Sequence, residues 1–120
     1  MNKRTIVLGA SPNPSRYAYM AVERLHRAGH EVYPVGIREG MIGEISIDTG
    51  KPSLSDIDTI SLYLGPDKQK EWYPYILSVQ PHRLLFNPGT ENPELQALAD
   101  QHGIATQEAC TLVLLQTDQY

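Results

Sequence analysis

The sequence predicts an α/β domain built on a doubly wound parallel sheet of about five strands, with helices on both faces. Two observations predict this fold class. Short segments rich in apolar β-forming residues recur along the chain, and segments with apolar residues at helical spacing separate them. Strands that alternate with helices form βαβ units with right-handed crossovers. We place the strands in the order 3-2-1-4-5, a common arrangement in doubly wound sheets.

The first βα unit occupies residues 4–29. Its strand, residues 4–9, is almost continuously apolar, which predicts burial on both faces of a parallel sheet. Helical spacing then relates the apolar residues Ala18, Ala21, Val22, Leu25 and Ala28. Asn13 is the predicted N-cap of this helix, with Pro14 as the first helical residue and Ser15 as an alternative cap.

The second strand covers residues 31–36. Pro34 lacks a backbone N–H, so the strand is predicted either to end near this residue or to lie at an edge of the sheet. Residues 38–56 are rich in Gly, Ser, Asp and Pro, which predicts mainly loop. A short extended piece is expected around Ile42, Ile45 and Ile47.

The rest of the chain continues the alternation. The predicted elements are a strand at 59–64, a helix at 65–79, a strand at 83–86, a helix that begins at Pro93 and is stopped by Gly103, and a strand at 104–107. Pro74 must kink or interrupt the first of these helices, and Asn92 is predicted to cap the second. The apolar segment 110–120 fits a short helix or a strand equally well.

The composition indicates one globular domain, residues 1–120, with 41% apolar and 20% charged residues. Its net charge of −4 argues against nucleic acid or an anionic membrane as a partner. A single cysteine excludes an intramolecular disulfide and fits a cytoplasmic protein. The sequence contains no CxxC or HExxH pattern, so we expect no metal site.

The turn after the first strand, LGASPNPSRY at residues 8–17, is the candidate ligand site. In doubly wound sheets, ligands lie at the carboxyl ends of the strands, where the strand order reverses. Gly9 permits a tight turn and a close backbone approach, and Ser11 adds a hydroxyl. The helix start and Arg16 add positive charge. These features favour a phosphate group, and the alternative is a structural turn without a ligand.

The predicted ligand is a nucleotide other than NAD. The turn has one glycine where the dinucleotide fingerprint has three, and no acidic residue stands at the end of the second strand. Arg38 follows that strand instead. A basic residue there suits an adenosine ribose that carries a phosphate, as in NADP or coenzyme A. The alternative for Arg38 is a solvated loop charge.

The predicted topology assigns the other polar candidates to one edge of the sheet or the other. Four histidines fall at the amino ends of strands, away from the ligand edge, and are interpreted as surface residues: His26, His30, His82 and His102. The loop at 87–92 falls on the ligand edge, where Asn87 offers an amide and Pro88-Gly89 favours a tight turn. Cys110 follows the fifth strand on the same edge and is either a small buried hydrophobe or a reactive thiol.

Four segments carry a family resemblance: VLGASPNPSRYAYMAVERLHRAGHEVYPVG, KPSLSDID, LLFNPGTENPEL and EACTLVLLQTDQY. In order and spacing they resemble the small single-domain CoA-binding proteins, which are similar to the CoA-binding domain of the succinyl-CoA synthetase α subunit. The resemblance spans nearly the whole chain. It implies a Rossmann-like fold with coenzyme A lying across the first turn. The catalytic histidine of that subunit lies in a later domain, so we expect no ligase chemistry here.

The resemblance also implies which residues contact the ligand. Gly9, Ser11, Pro12 and Arg16 would hold the diphosphate, Pro34 and Val35 would border the adenosine, and Ser53, Leu64, Asn87, Pro88 and Gly89 would complete the site. The family often carries Asn two positions after its Pro-Val pair, where this sequence has Ile37. Arg38 is therefore a substitute candidate for contact with the ribose phosphate.

The leading hypothesis is a stand-alone module that binds coenzyme A or acyl-CoA without catalysis of its own. The alternatives are an NADP-linked or CoA-dependent enzyme component that acts with a partner chain, and a protein-interaction domain with a vestigial pocket. A homodimer is a further expectation, because small domains often pair about a two-fold axis. A ligand thiol that reached Cys110 would form a mixed disulfide under oxidation, whereas a buried Cys110 would be inert.

Overall fold

A parallel sheet flanked by helices forms the centre of the structure, a computed structural model that describes residues 2–120. In chain order the strands are β1 (Thr5–Leu8), β2 (Val32–Val35), β3 (Met41–Ile42), β4 (Ile45–Ser46), β5 (Thr59–Leu62), β6 (Arg83–Phe86) and β7 (Ala105–Glu108). The α-helices are α1 (Tyr17–Arg27), α2 (Pro66–Gln69), α3 (Tyr73–Val79), α4 (Pro93–Gln101) and α5 (Thr111–Gln116). A 3₁₀ turn at Lys70–Trp72 joins α2 to α3.

The strand order of the main sheet is β2-β1-β5-β6-β7, and every neighbouring pair is parallel. The doubly wound Rossmann-like fold is therefore confirmed, but the predicted order 3-2-1-4-5 is wrong. The third long strand along the chain, β5, lies beside β1 and not outside β2. All four residues of β5 are buried, which requires a central position with helices on both faces.

The edge position of β2 has two visible causes. Pro34 lies within β2 and lacks the N–H that a further strand would need, which confirms the predicted edge position. The segment that returns from the antiparallel β3–β4 hairpin also runs along this edge, where Asp48 forms a parallel bridge with Val35. The apolar residues predicted to form an extended piece build this hairpin and its return, and Ile42 and Ile47 are buried.

Two apolar layers enclose the sheet. On one face, side chains such as Ile6, Ile60 and Leu84 pack with residues of the α2–α3 region and α4, including Ile76 and Leu95. On the other face, Val7 packs with the buried residues of α1, with Ile42 and Ile47 from the hairpin, and with Leu115 of α5. Helices thus cover both faces, as predicted. Among residues 2–120, no helix is long and apolar enough to cross a membrane.

Local capping explains where the helices begin and end. Asn92 caps α4 as predicted, because its Oδ1 accepts from the backbone N–H groups of Glu94 and Leu95 at 3.1 and 3.2 Å. The interruption predicted at Pro74 is present, since α2 ends at Gln69 and α3 begins at Tyr73. The C-terminal segment, which the sequence left open, forms the helix α5.

The start of α1 differs from the prediction. Asn13 does not cap a helix that begins at Pro14; its Oδ1 accepts from the backbone N–H and the hydroxyl of Ser15 at 3.0 and 2.8 Å. These local bonds hold residues 13–16 in a turn. The helix begins only at Tyr17, with Arg16 at the N-cap and no side-chain hydrogen bond to the first N–H groups.

Candidate functional site

A cleft of about 520 Å³ opens at the carboxyl edge of the sheet. It lies where the strand order reverses, because the chain leaves β1 towards β2 on one side and leaves β5 towards β6 on the other. Its lining comes from the β1 turn, the start of α1, the loop after β2, the loop after β5 and α2. Those residues are Gly9, Ala10, Ser11, Pro12, Asn13, Arg16, Tyr17, Ala18, Ile37, Arg38, Tyr63, Leu64 and Lys68.

The β1 turn is held by its neighbours on both sides. The N–H groups of Gly9 and Ala10 both donate to the carbonyl of Val35, at 2.8 and 3.0 Å. Gly9 has a φ of 100°, and a Cβ at this position would lie 2.9 Å from the carbonyl carbon of Tyr63. Glycine is therefore required here both by the backbone conformation and by close packing against the β5 loop.

A side-chain and a backbone hydrogen bond hold the rest of the turn. The hydroxyl of Ser11 accepts from the N–H of Asn13 at 3.1 Å, and the N–H of Arg16 donates to the carbonyl of Asn13 at 3.0 Å. The first N–H groups of α1 receive no side-chain cap, and no acidic residue lies in its first turn. The helix start therefore presents free donors and partial positive charge beside the cleft.

Three cations line the cleft, although the chain as a whole carries a net charge of −4. Arg16 lies at the start of α1, Arg38 on the loop after β2, and Lys68 in α2. All three side chains are exposed, and no carboxylate is among the lining residues. This arrangement gives the cleft a local positive field that suits an anionic ligand.

Two exposed apolar side chains border the same opening. Tyr17 is 70% exposed and Ile37 is 77% exposed, and both line the cleft. They come from different elements, since Tyr17 begins α1 and Ile37 follows β2. The cleft therefore combines charge around the β1 turn with apolar surface at its rim, as a ligand with phosphate and organic parts requires.

Tyr63 forms the floor of the cleft beside Gly9. Burial raises the pKa of its phenol well above the ordinary value. The phenolic oxygen is enclosed and makes no hydrogen bond. The hydroxyls of Ser61 and Thr111 lie near this phenol and lower its pKa, against the larger effect of burial. They form a hydrogen bond of 2.8 Å with each other and none with Tyr63.

The residues expected from the sequence divide into two groups. Gly9, Ser11, Pro12, Arg16, Arg38 and Leu64 come together in the cleft. Pro34, Val35, Ser53, Asn87, Pro88 and Gly89 do not line it. Pro34 and Val35 are buried in β2 directly behind the turn, and Ser53 is exposed on the segment that leads to β5.

The loop at 87–92 follows β6 along the chain. Because β5 lies between β1 and β6 in the sheet, this loop is not the immediate neighbour of the β1 turn. The Asn87 side chain is buried, and its Nδ2 donates to the Ser61 hydroxyl and the Leu62 carbonyl at 2.9 Å each. Its Oδ1 accepts from the N–H of Thr111 at 2.8 Å. Asn87 therefore ties β5 to the start of α5.

Cys110 stands at the N-cap of α5 and is half-buried. Cys110 is therefore not one of the fully buried core residues. The thiol is also not among the residues that line the cleft. No group of three or more His, Cys, Asp and Glu side chains within residues 2–120 is arranged to hold a metal ion.

Sequence reasoning missed the other seven lining residues as ligand contacts: Ala10, Asn13, Tyr17, Ala18, Ile37, Tyr63 and Lys68. The last two belong to the β5 loop and the helix after it. The sequence carried a signal for them, because Tyr63 follows β5 directly at the ligand edge and Lys68 lies in the helix that comes next. The wrong strand order placed that strand on the far side of β2, and only the family resemblance pointed to this loop, through Leu64.

Comparison with known proteins identifies the family. The model of the CoA binding domain matches residues 3–116, so the chain belongs to the CoA-binding domain family. This confirms the resemblance seen in the sequence. Comparison with curated proteins returns no significant match.

Solved structures share this fold. An uncharacterised protein is 43% identical with a TM-score of 0.97, over 100% of this chain and 99% of that one. A protein from Thermus thermophilus is 23% identical with a TM-score of 0.83, over 98% and 91% of the two chains. An acetyl-coenzyme A synthetase from Ca. Korarchaeum cryptofilum, solved with phosphate and ADP, is 17% identical with a TM-score of 0.69. In that case 87% of this chain matches 25% of the enzyme.

Proposed function

We propose that this protein binds coenzyme A or an acyl-CoA in the cleft, as a module without catalysis of its own. One observation carries the proposal: the uncapped start of α1 and the cations Arg16, Arg38 and Lys68 converge on the Gly9 turn, with no carboxylate among the lining residues. A diphosphate needs this combination of free N–H donors and positive charge. Membership of the CoA-binding domain family supports the choice of ligand.

Arg38 supports coenzyme A over NAD. The loop after β2 presents Ile37 and Arg38 to the cleft, whereas NAD-binding sites place a carboxylate there for the ribose hydroxyls. Glu39 is not among the lining residues. We assign the phosphate on the adenosine ribose of coenzyme A to Arg38, and the exposed Ile37 offers apolar surface beside it.

The absence of catalysis is proposed from the chemistry of the lining. Its residues contribute no His, Cys or carboxylate that would act as base or nucleophile, and burial raises the pKa of Tyr63, which further disfavours the phenolate that could act as a base. An NADP-linked component remains the second candidate, because NADP also carries a phosphate on its adenosine ribose and Arg38 would serve it equally well.

Isothermal titration of the purified chain with coenzyme A, NAD, NADP and ATP tests the proposal. We expect coenzyme A to bind most tightly and NAD least tightly. Tighter binding of NADP than of coenzyme A would favour the second candidate. If no nucleotide binds or raises the melting temperature, the cleft is vestigial and the proposal is wrong, since a ligand at 100 times its Kd stabilises by about 2.7 kcal/mol.

A further inference from the structure

The loop after β2 forms an arch, residues 36–40, that is closed at both ends by backbone hydrogen bonds. At one end the N–H of Gly36 donates to the carbonyl of Asp48 at 3.0 Å. At the other end the carbonyl of Gly40 accepts from the N–H of Ile47 at 2.9 Å. The segment that returns from the β3–β4 hairpin therefore fixes where the arch begins and where it ends.

Both ends of the arch also press directly on the β1 turn. A Cβ on Gly36 would lie 2.2 Å from the carbonyl oxygen of Ala10, and a Cβ on Gly40 would lie 2.5 Å from the Cβ of Pro12. No side chain larger than hydrogen fits at either contact without movement of the turn or of the arch. The two glycines thus allow both ends of the arch to pack closely against the turn.

Between these contacts the arch turns its side chains outward. Ile37, Arg38 and Glu39 are exposed, and the first two line the cleft. An exposed arginine on a mobile loop would lose backbone and side-chain freedom when it bound a phosphate. Because hydrogen bonds already fix the backbone of the arch in the free protein, ligand binding removes little further backbone entropy.

We propose that Gly36 and Gly40 are positioning residues, which set the place of Arg38 relative to the β1 turn and so determine how well one nucleotide can contact both. This inference rests on the proposed binding of coenzyme A. Gly36 and Gly40 do not line the cleft. On this inference they still contribute to the affinity for coenzyme A, because they contact the β1 turn, although they do not contact the ligand.

A double-mutant cycle tests this role, with coenzyme A titrated into the wild type, Gly40→Ala, Arg38→Gln and the double variant. The cycle uses Gly40 because its Cβ would meet a proline side chain, whereas a Cβ on Gly36 would meet backbone. Gly50→Ala is the matched control, since a Cβ there has no neighbour closer than 3.4 Å. Circular dichroism and the melting temperature establish that each variant is folded.

We expect Arg38→Gln and Gly40→Ala each to weaken coenzyme A binding by about tenfold, the scale of one charged hydrogen bond. In the Arg38→Gln background, Gly40→Ala should change the Kd by less than about twofold, because the two residues act on one contact. Gly50→Ala should bind as the wild type does. A merely structural glycine would instead weaken binding by the same factor in both backgrounds.

Equal factors in the two backgrounds, or no effect of Gly40→Ala in either, would overturn the positioning role while leaving coenzyme A binding intact. A wild type that does not bind coenzyme A would overturn the proposed function and this inference together. Hydrogen exchange gives an independent readout: the Ile47 N–H should lose protection in Gly40→Ala and keep it in Arg38→Gln. Unchanged protection in Gly40→Ala would also contradict the inference.

Discussion

Asn87 and Thr111 are joined by a hydrogen bond of 2.8 Å from the backbone N–H of Thr111 to the Asn87 Oδ1, in the buried interior of the domain. The same amide donates to the Ser61 hydroxyl and to the Leu62 carbonyl. An asparagine that the sequence suggested as a ligand contact is thus the link between the central strand and the last helix.

Asn87→Ala should therefore lower the free energy of unfolding by about 2–4 kcal/mol, because it leaves several buried polar groups without partners. Gln96→Ala, on the exposed side of α4, is the control and should change stability by less than about 0.5 kcal/mol. Urea unfolding measures both. A loss at Asn87 no larger than at Gln96 would show that the linkage contributes little.

Lys68→Gln should weaken coenzyme A binding by about fivefold to tenfold, because it removes one of three cations from the cleft. The dependence of the Kd on salt should become shallower for the same reason. Lys70→Gln is the matched control, since Lys70 is exposed two residues further along and does not line the cleft. Equal effects of the two substitutions would mean that only net charge matters.

Tyr63→Phe should leave the free energy of unfolding unchanged or raise it by up to about 1 kcal/mol. The enclosed hydroxyl makes no hydrogen bond, so its removal relieves the cost of burying a polar atom. Tyr17→Phe is the control, because the Tyr17 side chain is 70% exposed. A large loss of stability in Tyr63→Phe would reveal a hydrogen bond to the phenol, through water or otherwise.

The same phenol predicts a pH dependence. Burial raises the pKa of folded Tyr63, whereas the unfolded chain ionises near the ordinary value of about 10. Its contribution to stability is therefore complete below about pH 10 and is lost as the pH rises above that value. The decline in unfolding free energy between about pH 9 and about pH 11 should be steeper in the wild type than in Tyr63→Phe. Parallel curves would contradict the assignment.

Cys110 should react with a thiol reagent in the native state, more slowly than in urea, because it is half-buried. Saturating coenzyme A should leave that rate unchanged within about twofold, since the thiol does not line the cleft. Intact mass after incubation with CoA disulfide tests the mixed disulfide. Protection by coenzyme A, or an adduct that forms far faster than with a small disulfide, would place the ligand thiol at Cys110.

The sequence predicted the βαβ alternation well because burial leaves a direct pattern in it. The sequence did not predict on which side of β1 the strand β5 would lie. Continuous burial indicates a central strand, but it does not indicate which strands lie next to it. That choice depends on the hairpin at 41–46 and on Asp48, which occupy the outer edge of β2. These are contacts between distant segments, and short-range patterns do not encode them.

The residues of the candidate site show the same difference between local patterns, which could be predicted, and distant contacts, which could not. Gly9, Ser11 and Arg16 could be predicted because one local turn carries them. Asn87 was assigned to the ligand because its residue type and sheet edge were right, but the direction of its amide depends on α5. Gly9→Val should weaken both ligand binding and the stability of the fold, since a Cβ at Gly9 would lie 2.9 Å from the Tyr63 backbone.

The β1 turn has a consequence for how the site comes into being. Its shape depends on the Val35 carbonyl on one side and on the Tyr63 backbone on the other, so the first βα unit does not contain it. A peptide that ends at α1 would carry most of the expected phosphate contacts and still lack the geometry to use them. Binding competence should thus appear only when β2 and β5 have docked on β1, in the same cooperative step that completes the centre of the sheet.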